Sequence, residues 1–160
     1  DTNFKMNPPL RSDTDIAALK DAVADGTIDC LATDHAPHLR SEKELEFLNA
    51  PPGILGLDCA LGLYAKALID DKTIDWPRLI EMMTVAPAMI LDIKNGTLSV
   101  GSDADVTIID PNHQWQVEVN AFASKSRNCP FGGWELSARA THTIVGGQIK
   151  FQLDASNTPV

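Results

Sequence analysis

Residues 32–43 read ATDHAPHLRSEK, directly after the apolar run Ile28-Asp29-Cys30-Leu31. A β-strand ending at Thr33-Asp34 would deliver an aspartate, two histidines and a proline to one edge of a sheet. That edge is where α/β enzymes keep their chemistry. A surface turn is the alternative, since Asp and Pro are ordinary turn residues.

The flanking segments bear on that choice. Ser12 or Asp13 caps a predicted helix through about Asp25, with Ile16, Leu19, Ala22 and Val23 on one face and Gly26 as its stop. A strand over Thr27–Thr33 follows, then a polar segment and the turn signal Pro51-Pro52-Gly53. A second helix is expected from Leu57 to Ile69. A third is opened by Asp75, with Pro77 in its first turn, and runs to about Thr84. Pro87 starts a short helical piece ending near Leu91.

Beyond Gly96 the pattern changes. Ala104–Ile109, Trp115–Val119 and Thr141–Val145 read as strands, and Gly146-Gly147 is a hairpin signal before Gln148–Leu153. No internal repeat is visible. The front of the chain is α/β and the back is short-stranded β. One strand flanked by helices cannot make a sheet, and a parallel-type strand is covered on both faces. The front is therefore expected to be the last part of a larger α/β domain whose earlier strands are absent, in a truncated protein.

Composition bounds the function. The 160 residues are 44% hydrophobic and 22% charged, enough for a buried core in about one domain. No apolar run approaches the roughly 20 residues of a membrane-spanning helix, and Asp1-Thr2-Asn3-Phe4-Lys5 has no apolar signal-peptide core. A net charge of −9 argues against a general nucleic-acid binder. The three cysteines, Cys30, Cys59 and Cys129, form no CxxC pair. They point to neither a structural zinc site nor a disulfide framework. Cys30 and Cys59 read as small core residues, and a reducing cytoplasm is the expected location.

ATDHAPHLRSEK resembles the second signature segment of dihydroorotases: Gly or Ala, Ser or Thr, Asp, any residue, Ala-Pro-His, then Lys after four residues. Ala32, Thr33, Asp34, Ala36, Pro37, His38 and Lys43 fit it. Lys5-Met6-Asn7-Pro8-Pro9-Leu10-Arg11 is similar to the loop after the family's seventh barrel strand. Ala50-Pro51-Pro52-Gly53-Ile54-Leu55-Gly56-Leu57 is similar to its substrate loop. Residues 96–105 resemble the turn into the small β-domain of amidohydrolases, and 124–131 and 133–136 again look like dihydroorotase. Asp58 and Ala86 depart from the Glu and Asn usual at their positions.

The resemblance implies an α/β fold, the C-terminal part of a metal-dependent hydrolase (β/α)8 TIM barrel with the C-terminal strands of a small β-sandwich. Residues 1–92 would hold the last strand and helices of the barrel, 93–153 the β-sandwich part and 154–160 a tail. Thr27–Thr33 is then the eighth strand, with Asp34 at its catalytic end. The implied activity is zinc-dependent, reversible cyclisation of N-carbamoyl-L-aspartate to dihydroorotate in pyrimidine synthesis. Opening that ring takes a nucleophile at neutral pH and a proton for the departing nitrogen. The resemblance gives Asp34 both tasks, as a zinc ligand and as general acid/base. It gives His38 and Asn7 the substrate, with the backbone of Pro52 and Gly53 at the ring edge.

Taken alone, Asp34 reads equally as a turn residue, His38 as a loop histidine and Asn7-Pro8-Pro9 as a plain loop. His35 reads as structural, packing on or bonding to a neighbouring loop. His113 and His142 read as surface residues, and Arg40 and Lys43 as a solvated face, while Arg11 is left between substrate charge and a carboxylate partner. One or two zinc ions per intact subunit are implied, with the remaining ligands absent from this chain. The isolated 160 residues are therefore expected to be inactive. A homodimer and association with aspartate transcarbamoylase are the partners the family implies, with no nucleic acid and no membrane. Two alternatives stay open: a related cyclic amidohydrolase such as a hydantoinase or allantoinase, and a non-catalytic dihydroorotase-like subunit of aspartate transcarbamoylase.

Overall fold

The computed structural model describes residues 1–153; the tail expected at 154–160 lies outside them. The chain weaves between two compact units. One comprises Asp1–Ala18, Thr33–Ala60 and Gln116–Glu135, and the other Leu19–Ala32, Leu61–Trp115 and the described residues from Leu136.

Helices form where expected, with differences in length and in which apolar residues they carry into the core of the second unit. Helix α1 spans Asp13–Ala24 and carries Val23 into that unit's core, while Ile16 and Leu19 stay exposed. A one-turn helix α2 (Arg40–Lys43) lies in the first unit. The predicted 57–69 helix is shorter and in two parts, α3 (Ala60–Tyr64) followed by a π-helical turn over Ala65–Ile69. Helix α4 (Trp76–Met83) begins at Asp75, whose carboxylate accepts the Arg78 N–H at 3.1 Å, with Pro77 in the first turn where no donor is lost. Helix α5 covers Val85–Ile90.

Val23, Leu68, Leu79 and Met82 form the buried core of this unit, flanked by Ile28, Leu31, Tyr64, Ile69, Ile74, Trp76 and Met83. Leu79 and Met82, three apart on α4, present one face to it, as helical spacing requires.

The sheet is antiparallel, in the order β1 (Val106–Asp110), β4 (Arg139–Val145), β5 (Gln148–Gln152), with bulges at Ile108/Ile109 and Thr143/Ile144. Gly146 and Gly147 sit at φ of 57° and 75°, the two positive angles a tight β4–β5 hairpin demands. Strands β2 (Trp115–Gln116) and β3 (Glu135–Leu136) form a two-stranded pair; β3 has no alternating apolar run to announce it.

The expected strand Thr27–Thr33 is corrected: among the described residues no ladder forms there. A strand is defined by a partner, and this stretch has only single bonds, such as Leu31 N–H to Met82 O at 3.1 Å. Side chains hold it instead. Arg78 Nη2 donates to Ile28 O at 3.2 Å, and the Tyr64 hydroxyl donates to Ala32 O at 3.0 Å, two residues before Asp34. No helix among the described residues is long and apolar enough to cross a membrane.

Candidate functional site

The candidate residues lie in the first unit, where the segment after Thr33 runs beside the Pro51–Leu55 loop. His35 and Ile54 make a parallel bridge, and Ala36 N–H donates to Ile54 O at 2.9 Å. Asp34 opens this segment, exposed and at φ +44°, the left-handed region that costs a non-glycine residue about 1 kcal/mol or more. Aspartate tolerates that region better than most, and strained backbone of this kind clusters at functional sites. The conformation turns the chain between Thr33 and His35 and leaves the carboxylate in solvent.

His35 is structural, as expected. Its Nδ1 accepts from Gly56 N–H at 3.1 Å and Leu57 N–H at 3.2 Å, so the ring proton sits on Nε2. His38 Nε2 lies 3.0 Å from Pro52 O; a carbonyl only accepts, so this nitrogen carries a proton too. Gly53 packs so closely that a Cβ there would stand 2.7 Å from Ala36 Cβ and 2.8 Å from His38 Nε2. Its N–H donates to Lys5 O at 2.8 Å, which brings the Lys5–Asn7 stretch to the same loop. Asn7 itself is exposed, at a cis bond to Pro8. His38, Pro52 and Gly53 thus meet directly, while Asp34 lies four residues before His38 on the same segment and Asn7 two residues after Lys5, which accepts from the Gly53 N–H.

Lys43 is not on a solvated face; it is 6% exposed. Its ammonium donates to Pro51 O at 3.0 Å and Gly53 O at 3.1 Å. Burial, and then the charge of Lys5, hold it below the usual lysine range. The reason is geometric: the single turn α2 points position 43 back under the loop that its spacing alone places in solvent. Lys43→Met keeps the stem but removes both charge-assisted bonds. The expected loss of stability is about 2–3 kcal/mol, read as a lower urea midpoint; an unchanged midpoint would refute the clamp.

Asn128, which carries no pattern in the sequence beyond its place in 124–131, is 3% exposed at the centre of the cluster. Its Oδ1 accepts from His38 N–H at 3.1 Å, and its Nδ2 donates to Ala36 O at 2.8 Å and Gly53 O at 3.2 Å. Asp58, where the family usually has Glu, accepts from Ala123 N–H at 2.9 Å. His113 is half-buried rather than on the surface, and its Nε2 is shielded from water with no partner among the described residues. His142 is half-buried in β4. Arg11 is exposed.

Cys59 and Cys129 are both buried and in contact. The hydrogen bond between them, reinforced by burial, pushes the Cys59 thiol up, and the same bond draws Cys129 down to about 7. A depressed folded value adds stability as pH rises from about 7 to the ordinary 9.0, and loses it as pH falls through 7. The raised Cys59 value acts oppositely above 9.0, so this pair's contribution peaks near there. Urea midpoints should rise from pH 7 to 9 in the parent and stay flatter in Cys129→Ala; parallel curves would overturn the assignment.

Among the described residues no three His, Cys, Asp or Glu side chains are grouped to hold a metal ion. The amidohydrolase family profile matches residues 6–150. A dihydroorotase from Citrifermentans bemidjiense is 51% identical over 152 residues, covering 95% of this chain and 36% of that protein. A dihydroorotase from Trichlorobacter lovleyi is 49% identical over 150 residues, covering 94% of this chain and 35% of that protein. Among solved structures, the L-hydantoinase (dihydropyrimidinase) from Arthrobacter aurescens superposes with a TM-score of 0.86 at 31% identity, over 92% of this chain and 34% of that one. The D-hydantoinase (dihydropyrimidinase) from Thermus sp. gives 0.85 at 27%, over 94% and 34%. The fold is that of the corresponding part of these hydantoinases, and the chain spans just over a third of the length of the curated relatives it matches.

Proposed function

Because this chain belongs to the amidohydrolase family, we propose that it is the part of a dihydroorotase that supplies the proton-transfer carboxylate and one wall of the substrate site. The observation that carries this reading is the direct meeting of His38 with the Pro52-Gly53 loop, immediately downstream of an exposed, left-handed Asp34. The reaction is the reversible closure of N-carbamoyl-L-aspartate to dihydroorotate in pyrimidine synthesis, and the proposed setting is the cytoplasm. The assignment of residues 1–92 to the end of a (β/α)8 barrel and 93–153 to a small β-sandwich belongs to the same proposal, as do a homodimer and association with aspartate transcarbamoylase.

In ring opening, Asp34 accepts the proton of the attacking water and returns it to the ring nitrogen as the amide C–N bond breaks. His38, with a proton on Nε2, donates to the substrate carboxylate, which displaces the Pro52 carbonyl from that nitrogen. Asn7 hydrogen-bonds the same substrate, and Gly53 lets the loop backbone come up to the ring. A catalytic zinc takes three protein ligands. The described residues offer Asp34 alone, so they do not build that centre by themselves and zinc requires ligands from other residues. The isolated chain is accordingly expected to show no turnover.

The hydantoinase neighbours, at 27–31% identity, keep a second cyclic-amide reading alive. A substrate panel on the intact enzyme separates the two. Dihydroorotate should exceed hydantoin in kcat/KM by about 10² or more, since a site built to bond a carboxylate rejects a ring without one. Equal or better turnover of hydantoin would sink the dihydroorotase assignment.

A further inference from the structure

We propose that Asn128 is a positioning residue for substrate binding: its buried amide sets the distance between the His38 segment and the Gly53 loop. The inference rests on the dihydroorotase reading for the identity of the substrate, but its physical basis is separate. The Asn128 amide makes three bonds, each to a main-chain group and each of the right polarity. Its oxygen faces the His38 N–H at 3.1 Å, and its nitrogen faces the carbonyls of Ala36 at 2.8 Å and Gly53 at 3.2 Å. Flipping the amide would set its oxygen against two carbonyl oxygens, so only one orientation is satisfied.

The bonds span 75 to 92 residues of sequence, and the Asn128 main-chain oxygen adds a fourth, accepting from Leu55 N–H at 2.9 Å. Asn128 therefore joins three segments: its own, the one that carries His38 and the one that carries Gly53. Those two segments are already at contact. Gly53 has no room for a Cβ against Ala36 and His38, so the gap is as narrow as the backbone permits. Lys43 pulls on Gly53 O from another side, at 3.1 Å, and fixes the loop without touching His38. Asn128 bonds both segments from a third, and Asp34 is not among its partners.

This division of labour predicts where the kinetic damage falls. If Asn128 places the groups that hold substrate, its loss should raise KM and largely spare kcat, because Asp34 is not among its partners. Asn128→Asp is the informative change. It preserves shape and the acceptor for His38 N–H, yet turns the donor that faced Ala36 O and Gly53 O into an acceptor, so the two segments are pushed apart.

The experiment uses the intact enzyme. Parent, Asn128→Asp, Asn128→Ala and Asp34→Asn are compared with dihydroorotate at a temperature well below every melting transition. Asn128→Asp should raise KM about ten- to a hundredfold, with kcat within about threefold of the parent. Asn128→Ala should follow in the same direction, and if it does not fold, Asn128→Ser is read in its place. Lower melting temperatures with unchanged KM in a folded variant would make Asn128 merely structural and overturn the proposal. A fall in kcat at constant KM would do the same.

Failure of the underlying reading looks different. If the parent hydrolyses hydantoin and not dihydroorotate, the substrate assignment falls, and the KM and kcat comparison on hydantoin still decides the role of Asn128. A parent inert to every cyclic amide would sink both.

Discussion

Asp34→Asn in the intact enzyme should lower kcat for dihydroorotate by about 10²–10⁴-fold, the usual contribution of a positioned acid–base group. Asparagine is the right replacement because it has the same shape and tolerates the left-handed backbone that Asp34 adopts at φ +44°. Strain, packing and the Ala32 anchor to Tyr64 all stay in place. What disappears is the negative charge and the ability to take up a proton. KM should change far less than kcat, because His38, Asn7 and the Gly53 loop are untouched. Metal content measured beside the kinetics separates lost proton transfer from lost metal. Full turnover by this variant would end Asp34's assignment as the acid–base group.

Gly53→Ala should do comparable harm by a different route. The added methyl would stand 2.7 Å from Ala36 Cβ and 2.8 Å from His38 Nε2, where real contacts do not occur. The imidazole can swing away, but Ala36 Cβ is fixed to backbone that Asn128 holds. A φ of +133° adds a conformation that side-chain-bearing residues rarely adopt. Overpacking and strain each cost about 1–3 kcal/mol. The loop therefore has to move, breaking the Gly53 bonds to Lys5, Lys43 and Asn128. A melting temperature lower by several degrees and a kcat/KM reduced about 10²-fold are expected. A variant with parental stability and turnover would show that the close approach at Gly53 has no consequence.

Much of the chain was legible because its signals are local. Asp75 and Pro77 announce α4 within a single turn, and Gly146-Gly147 announces the β4–β5 hairpin in two residues. The segment from Asp34 to His38 stands out through its resemblance to a family signature, since taken alone its residues read equally as a turn or loop. Thr27–Thr33 shows the limit: its apolar residues read as a strand, but a strand exists only when another backbone bonds to it. In the described residues Tyr64 and Arg78 hold the segment instead.

The sequence by itself determined the helix caps, the tight turns and the change from a helical front to short strands at the back, while its resemblance to a family marked the short segment on which the chemistry is proposed. The caps, turns and element order depend on the dihedral preferences and periodicity of residues a few positions apart. Only the tertiary structure decided that Lys43 is a buried clamp, that Cys59 and Cys129 are buried against each other, and that Asn128 bonds Ala36 and Gly53. Those roles depend on desolvation and on partners up to 92 residues away. A lysine or an asparagine looks the same in sequence whether water or a carbonyl is its neighbour.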